Sequence, residues 1–148
     1  MGNDVIALEE YFRKPHSLKQ AAAAVDLLDR VNALCAEAIA AGAFEWQDDP
    51  DTNCEISGKA GGDGDGGFRT PGSRTGSARS SHREACGVDP YDPGDRLDAW
   101  LDRFEQADTG FNSKLAEHGL YREHPSATPG WCHLTTRAPD SGKRTFYP

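Results

Sequence analysis

Two short stretches carry the side chains with the most chemistry in the chain: Ser80-Ser81-His82-Arg83-Glu84-Ala85-Cys86-Gly87-Val88-Asp89, and Trp131-Cys132-His133. His82, Asp89 and His133 offer two imidazoles and one carboxylate, a donor set that suits zinc, a borderline-soft divalent cation. Three protein ligands rather than four leave a coordination position for water or substrate, as in catalytic zinc sites. The competing reading is that the two histidines are hydrogen-bonded core residues that never meet the aspartate.

Such a triad needs elements to assemble it. His82 and Asp89 are seven residues apart, an odd offset that puts them on opposite faces of one strand. A helix would align them, but Gly87 and Pro90 oppose a helix there. The spacing predicts a loop bearing His82, a turn over Ala85 to Gly87, and a short strand that presents Asp89. His133 is expected on a neighbouring strand, Trp131 to Thr135, with Trp131 and His133 on one face and Cys132 on the other.

The supporting scaffold is legible as helices. Residues 4 to 13 read as a short amphipathic helix with Val5, Leu8 and Phe12 on one side, closed by Pro15. A long helix follows, opened by a capping box of Ser17 and Gln20 and ended by Gly42, with Leu18, Val25, Leu28, Val31, Cys35 and Ile39 at helical spacing. Gln47 to Asp51 reads as an acidic turn and Thr52 to Ser57 as a strand. Asp95 is placed to cap a helix with Leu97, Trp100, Leu101 and Phe104 in its core stripe. Asn112 or Ser113 opens another short helix that ends at Gly119, and Leu120 to Arg122 reads as a strand. The expected fold class is α+β, one domain over 1–148, with a helical scaffold over 1–44 and the zinc-site core over 52–148.

Ser-x-His, six residues and Asp, then a distant Trp-x-His, resembles the zinc D-alanyl-D-alanine carboxypeptidase family. That family includes phage endolysin L-alanyl-D-glutamate peptidases and shares its fold with the hedgehog signalling domain. Gly67-Phe68-Arg69-Thr70-Pro71 resembles the family's Gly-aromatic-Arg segment, and Thr128-Pro129-Gly130-Trp131-Cys132-His133-Leu134 through Phe146-Tyr147-Pro148 resembles the ending of small phage-encoded members. The likeness spans residues 54 to 148.

It implies a small antiparallel sheet carrying zinc on His82, Asp89 and His133 and packed against the N-terminal and central helices. Arg69 and Ser80 would hold a substrate carboxylate or backbone group. The substrate it implies is a peptidoglycan stem peptide, cut at a D-Ala-D-Ala or an L-Ala-D-Glu bond. Two positions depart from the pattern. Ala85 stands where the family usually has glycine, and Gly130 stands where it commonly has the glutamate that serves as general base. The nearest upstream carboxylate is Glu123, which becomes the candidate base. An inactive zinc-binding module of a phage particle or for wall attachment is the alternative, and a general intracellular peptidase a third.

Composition narrows the partners. Sixteen Lys and Arg against 24 Asp and Glu give 148 residues a net charge of −8, and no basic patch interleaved with aromatics is present. Nucleic acid is therefore not the expected ligand. No apolar run is long enough to span a bilayer, so no membrane partner is expected, and the N-terminus lacks a secretory signal. The expectation is a chain made in the host cytoplasm that reaches cell wall by another route.

Cys35, Cys54, Cys86 and Cys132 lack the close pairing of a zinc ribbon and read as buried thiols, with Cys86 and Cys132 as a pair that could lie close enough to oxidise or capture a metal. The glycine-rich stretch 58–67 reads as a loop that borders the site. Asp63 and Asp65 in it miss the calcium-loop pattern. His16 and His118 read as surface residues, and His124 as a residue that could line the cleft.

Overall fold

The computed structural model describes residues 5–13, 16–58, 66–68, 81–82, 84–106 and 108–147. In chain order the elements are α1 (Leu8–Tyr11), α2 (Leu18–Ala40), β1 (Gly87–Val88), α3 (Arg96–Asp102), β2 (Glu105–Gln106), β3 (Phe111–Asn112), α4 (Ser113–Glu117), β4 (Tyr121–Glu123), a 3-10 turn (Pro125–Ala127), β5 (Leu134–Thr135) and β6 (Thr145–Phe146). Helices and a small sheet make the α+β class expected.

The main sheet has the order β1-β5-β4-β6. Its first three strands pair antiparallel, but β6 runs parallel to β4, so the sheet is mixed rather than wholly antiparallel. A separate hairpin joins β2 and β3.

The capping box of α2 forms as its sequence requires: Gln20 N–H donates to Ser17 Oγ at 3.1 Å, and Ser17 N–H donates to the Gln20 side chain at 2.7 Å. Of the expected stripe of α2, Leu28, Val31 and Cys35 are buried, and Leu18, Val25 and Ile39 are not. Ala24, Leu27, Leu28, Val31, Leu34, Cys35 and Ala38 face the core, while Leu18 is 91% exposed, Val25 47% and Ile39 40%. The buried positions 24, 27, 28, 31, 34, 35 and 38 recur at three- and four-residue spacing, which leaves Val25 and Ile39 off that face.

α1 is one turn long, shorter than the expected 4–13. Asn32, buried on α2, holds the segment before it, accepting from Ile6 N–H at 3.2 Å and donating to Ile6 C=O at 3.3 Å.

Thr52 to Ser57 is not a strand. Asp49 and Cys54 form an isolated bridge, as do Ile56 and Pro90, because the turn at 50–53 is fixed by Asp49, whose carboxylate accepts from the Asp51 and Gly58 amides at 2.8 Å each. Asp95 does not cap α3 either. Its φ of 52° is left-handed, and Asp92 takes the role, accepting from Leu97 N–H at 2.7 Å. The Asp95 carboxylate instead accepts from Gly130 N–H at 2.7 Å. Asn112 caps α4 as expected, accepting from Leu115 N–H at 3.0 Å.

Among the described residues, Arg122 is the largest fully buried side chain. Its guanidinium donates to Asp98 Oδ1 at 2.9 Å, Asp98 C=O at 3.1 Å, Asp102 at 2.6 Å, Glu105 at 3.4 Å and Thr145 Oγ1 at 3.0 Å. One side chain of β4 thereby joins α3, β2 and β6.

Candidate metal centre

The ladder registers align the site. β1 and β5 pair Val88 with Leu134, and the isolated bridge between Tyr91 and Trp131 continues the same register. Asp89 therefore lies opposite His133, and directly opposed residues put their side chains on one face. β5 and β4 pair Leu134 with Arg122, which puts Glu123 opposite His133 on its other side, and Glu123 N–H donates to His133 C=O at 3.2 Å. β4 and β6 pair Glu123 with Phe146. Asp89, His133, Glu123 and Phe146 thus form one row across the sheet on a shared face, and the Phe146 ring meets the His133 ring edge-on at 6.4 Å.

His82 enters from the turn before β1. That turn closes through Ala85 at φ 59°, with Ala85 N–H donating to His82 C=O at 3.3 Å and Cys86 N–H to Ser81 C=O at 3.0 Å. A turn and then a strand follow His82, as expected, but the turn ends at Ala85 and β1 at Val88, so Asp89 lies just beyond the strand. Likewise β5 is only Leu134–Thr135 of the expected Trp131 to Thr135, and His133 lies just before it. Gly87 has a local reason to be glycine: a Cβ there would lie 2.1 Å from Ser81 Oγ, 2.9 Å from Ser81 Cβ and 3.2 Å from His133 Cε1. The backbone of Asp89 is clamped from both sides, its N–H donating to Gly66 C=O and its C=O accepting from Ser57 N–H, each at 2.8 Å.

The three side chains converge. His133 Nδ1 lies 2.7 Å and His82 Nε2 3.4 Å from Asp89 Oδ1, one ligand atom from each residue falls within 4.8 Å of the others, and the imidazole rings are 5.0 Å apart. All three residues are buried, at 3% for His82, 1% for Asp89 and 7% for His133. Burial alone would raise the Asp89 carboxyl, but the adjacent His82 and His133 imidazoles outweigh it and hold Asp89 well below the usual carboxylate range.

Each imidazole is oriented from behind. His82 Nδ1–H donates to Gly67 C=O at 2.8 Å, which leaves Nε2 to face Asp89. Ser81 Oγ sits 3.3 Å from His133 Nε2. While His133 Nδ1–H donates to Asp89, the Ser81 hydroxyl donates to Nε2; if a cation takes Nδ1, the proton moves to Nε2 and the hydroxyl accepts. Tyr11 ties α1 to the same corner, its hydroxyl donating to Gly87 C=O at 2.9 Å and its carbonyl accepting from Phe68 N–H at 3.1 Å.

The donor set fits zinc. Ligand atoms about 2.0–2.1 Å from a tetrahedral ion are about 3.3 Å apart. The 3.4 Å separation of His82 Nε2 from Asp89 Oδ1 already matches, and the 2.7 Å hydrogen bond from His133 would open by about 0.6 Å. Backing of both imidazoles by a carbonyl and a hydroxyl is the outer support that metal-ligating histidines ordinarily have.

Of the other candidates, Glu123 reaches the site face and Arg69 and Ser80 lie outside the described residues, as do Asp63 and Asp65. Gly67 and Phe146 stand in segments that carry the resemblance, and Gly67 closes the loop expected to border the site, but the sequence assigns neither a contact with the triad. It gives Ser81 and Tyr11 no role, and nothing in it marks Tyr11 as touching the site.

The cysteines play no part in the triad. All four are free thiols, and burial is the main cause that raises the Cys35, Cys86 and Cys132 thiols above their ordinary value. Cys86 and Cys132 do not pair. Cys132 points away from His133 and donates to Asp98 Oδ1 at 3.5 Å, while Cys86 Sγ lies 3.5 Å from Ser81 C=O.

His16 is exposed but stacks on Phe12 at 3.7 Å. His118 is less of a surface residue than expected, half-buried and 2.9 Å from Glu37. Glu37, Glu117 and His118 also group three potential ligand atoms, but Lys114 Nζ occupies that group, 2.5 Å from Glu37 and 3.3 Å from Glu117. Among the described residues no helix is long and apolar enough to cross a membrane. No family model, curated protein or solved structure matches this chain.

Proposed function

We propose that the chain is a zinc-dependent peptidase of the hedgehog-like class that includes D-alanyl-D-alanine carboxypeptidases and phage L-alanyl-D-glutamate peptidases, and that it hydrolyses peptidoglycan stem peptides. The observation that carries this reading is the convergence of His82, Asp89 and His133, from two distant stretches, around one point. The residue pattern of the sequence supplies the substrate class.

Zinc held there would polarise a peptide carbonyl and make a water acidic enough to attack near neutral pH. Asp89 and the two imidazoles would hold that centre; the Gly67 carbonyl fixes the His82 tautomer, and the Ser81 hydroxyl supports the His133 ring in either one. Glu123 is our candidate for the base that would take the proton of an attacking water and return it to the leaving amine; its support is its register opposite His133. Arg69 and Ser80 are assigned to the substrate carboxylate and backbone on the sequence pattern.

A second reading has its own observation. Gly130 stands where the family pattern has glutamate, and its φ of 96° suits glycine rather than any residue with a side chain. No carboxylate is available at that position, so without Glu123 the domain would bind metal and wall without hydrolysis. Digestion of a purified stem peptide followed by mass analysis separates the two. Fragments released by the zinc-loaded protein and abolished in His82→Ala support the peptidase; intact peptide with bound metal supports the binding module.

A further inference from the structure

β4 turns Glu123 toward the triad and Arg122 and His124 to the opposite face. On that second side lies a cleft of about 560 Å³ whose walls include Asp102, Glu105, Arg122, Asp140, Lys143 and Tyr147. The volume is in the range of small-ligand sites. The walls are built rather than incidental. Arg122, 1% exposed, holds Asp102 and Glu105, and Thr145 donates to Glu105 at 2.7 Å. The loop before β6 is fastened to the β2–β3 hairpin by Arg144 N–H donating to Gly110 C=O at 2.9 Å. Gly110 leaves the space that the Lys143 stem fills, since a Cβ there would meet it at 2.6 Å.

The rim is aromatic. Tyr147 is 72% exposed, and one face of its ring stacks on His124 at 4.4 Å and 13°. Ser126 holds the His124 ring at Nδ1, with its hydroxyl at 2.8 Å and its N–H at 3.2 Å, so the imidazole is fixed at the cleft rim. Three carboxylates, Asp102, Glu105 and Asp140, oppose two cations, Arg122 and Lys143, so the charges nearly cancel. A strongly charged ligand gains little there. A neutral molecule with many hydroxyl groups and one apolar face gains planar carboxylate acceptors, an amine donor, and an exposed ring to stack on.

We propose that this cleft is a glycan-binding subsite for a neutral N-acetylated amino-sugar chain. Phe146 borders both this cleft and the His133 ring, so a sugar bound here lies beside the triad on the other side of the sheet edge. The geometry of the cleft selects a neutral, hydroxyl-rich ligand with one apolar face; that this ligand is an N-acetylated wall glycan rests on the proposed function.

The test is titration of the full chain with a β-1,4-linked N-acetylglucosamine tetramer, followed by amide shifts in NMR spectra and by calorimetry. Shifts centred on Thr145 to Tyr147 and on His124 are expected, with affinity lowered about tenfold or more in Tyr147→Ala and in Asp140→Ala, the share that a few central contacts carry. Asp89→Asn should bind the sugar as the parent does, which separates loss of the metal site from loss of the subsite. Absence of binding, shifts confined to another surface, or displacement of the sugar by a lysine-rich peptide would overturn the proposal.

Discussion

Gly87 and Ser81 are interlocked: a single Cβ at position 87 would stand 2.1 Å from Ser81 Oγ and displace the side chain that backs His133. Gly87→Ala is expected to lower zinc affinity by about tenfold or more, since outer-shell partners of metal ligands carry effects of that size. Ala85→Gly, two residues away, should be tolerated. Relief of the left-handed backbone at φ 59° offsets the loss of a buried methyl, leaving stability within about 1 kcal/mol of the parent. Calorimetric zinc titration and thermal melts of the two variants check the contrast, and equal zinc affinity in Gly87→Ala and the parent would contradict it.

Ser81→Ala removes the hydroxyl from His133 Nε2 without adding bulk. A fall in zinc affinity of about tenfold is the expected result, with little change in melting temperature. Unchanged affinity would mean that the 3.3 Å contact does not orient the ring.

Glu123→Gln separates metal binding from proton transfer. Zinc stoichiometry should persist, because the three ligands are untouched, while stem-peptide cleavage falls by about a hundredfold or more, the range for loss of a general base. Full activity in this variant would remove Glu123 from the mechanism and leave the triad intact.

Asp98 supplies a pH signature in the scaffold. Burial pushes its carboxyl up to about 6, beyond what the Arg122 guanidinium recovers, and its Oδ2 is buried without a hydrogen-bond partner among the described residues. Because the folded-state value lies above the unfolded value of about 3.9, the native state binds this proton more tightly. The contribution is favourable below the unfolded value and is lost as pH rises through about 6. Denaturant melts should show the parent gaining on the order of 2 kcal/mol relative to Asp98→Asn as pH falls from 7 to 4. A flat difference between the two would contradict this account.

Arg122→Ala leaves the Asp98, Asp102 and Glu105 carboxylates without their shared cation, two of them partly or wholly buried. Loss of about 3–5 kcal/mol is expected, the cost of removing one partner from a buried ion pair. Urea unfolding measures it.

Much of the triad's placement was readable in the chain because turn chemistry and alternation are local. Gly87 and Pro90 exclude a helix, so the residues from His82 to Asp89 must turn into a short strand, and Trp131 and His133 must share a face. The capping residues Ser17, Gln20 and Asn112 were legible for the same reason. What sequence patterning missed depends on tertiary neighbours. Leu18, Val25 and Ile39 have helical spacing to the core residues Leu28, Val31 and Cys35, yet the buried face of α2 is the one that carries Ala24, Leu27, Leu34 and Ala38 with them. Asp92 displaced Asp95 as a cap because Asp95 is drawn to Gly130, 35 residues on. Arg122 reads as an ordinary strand residue until α3, β2 and β6 bring their acceptors around it. The parallel pairing of β6 is invisible in so short a strand.

Zinc content tests the central claim most directly. After exhaustive dialysis against metal-free buffer and reloading, the parent chain should retain one zinc ion per molecule by elemental analysis, and Asp89→Asn and His133→Ala, folded by circular dichroism, should retain none. A parent that takes up no divalent ion, or variants that hold zinc as the parent does, would contradict it.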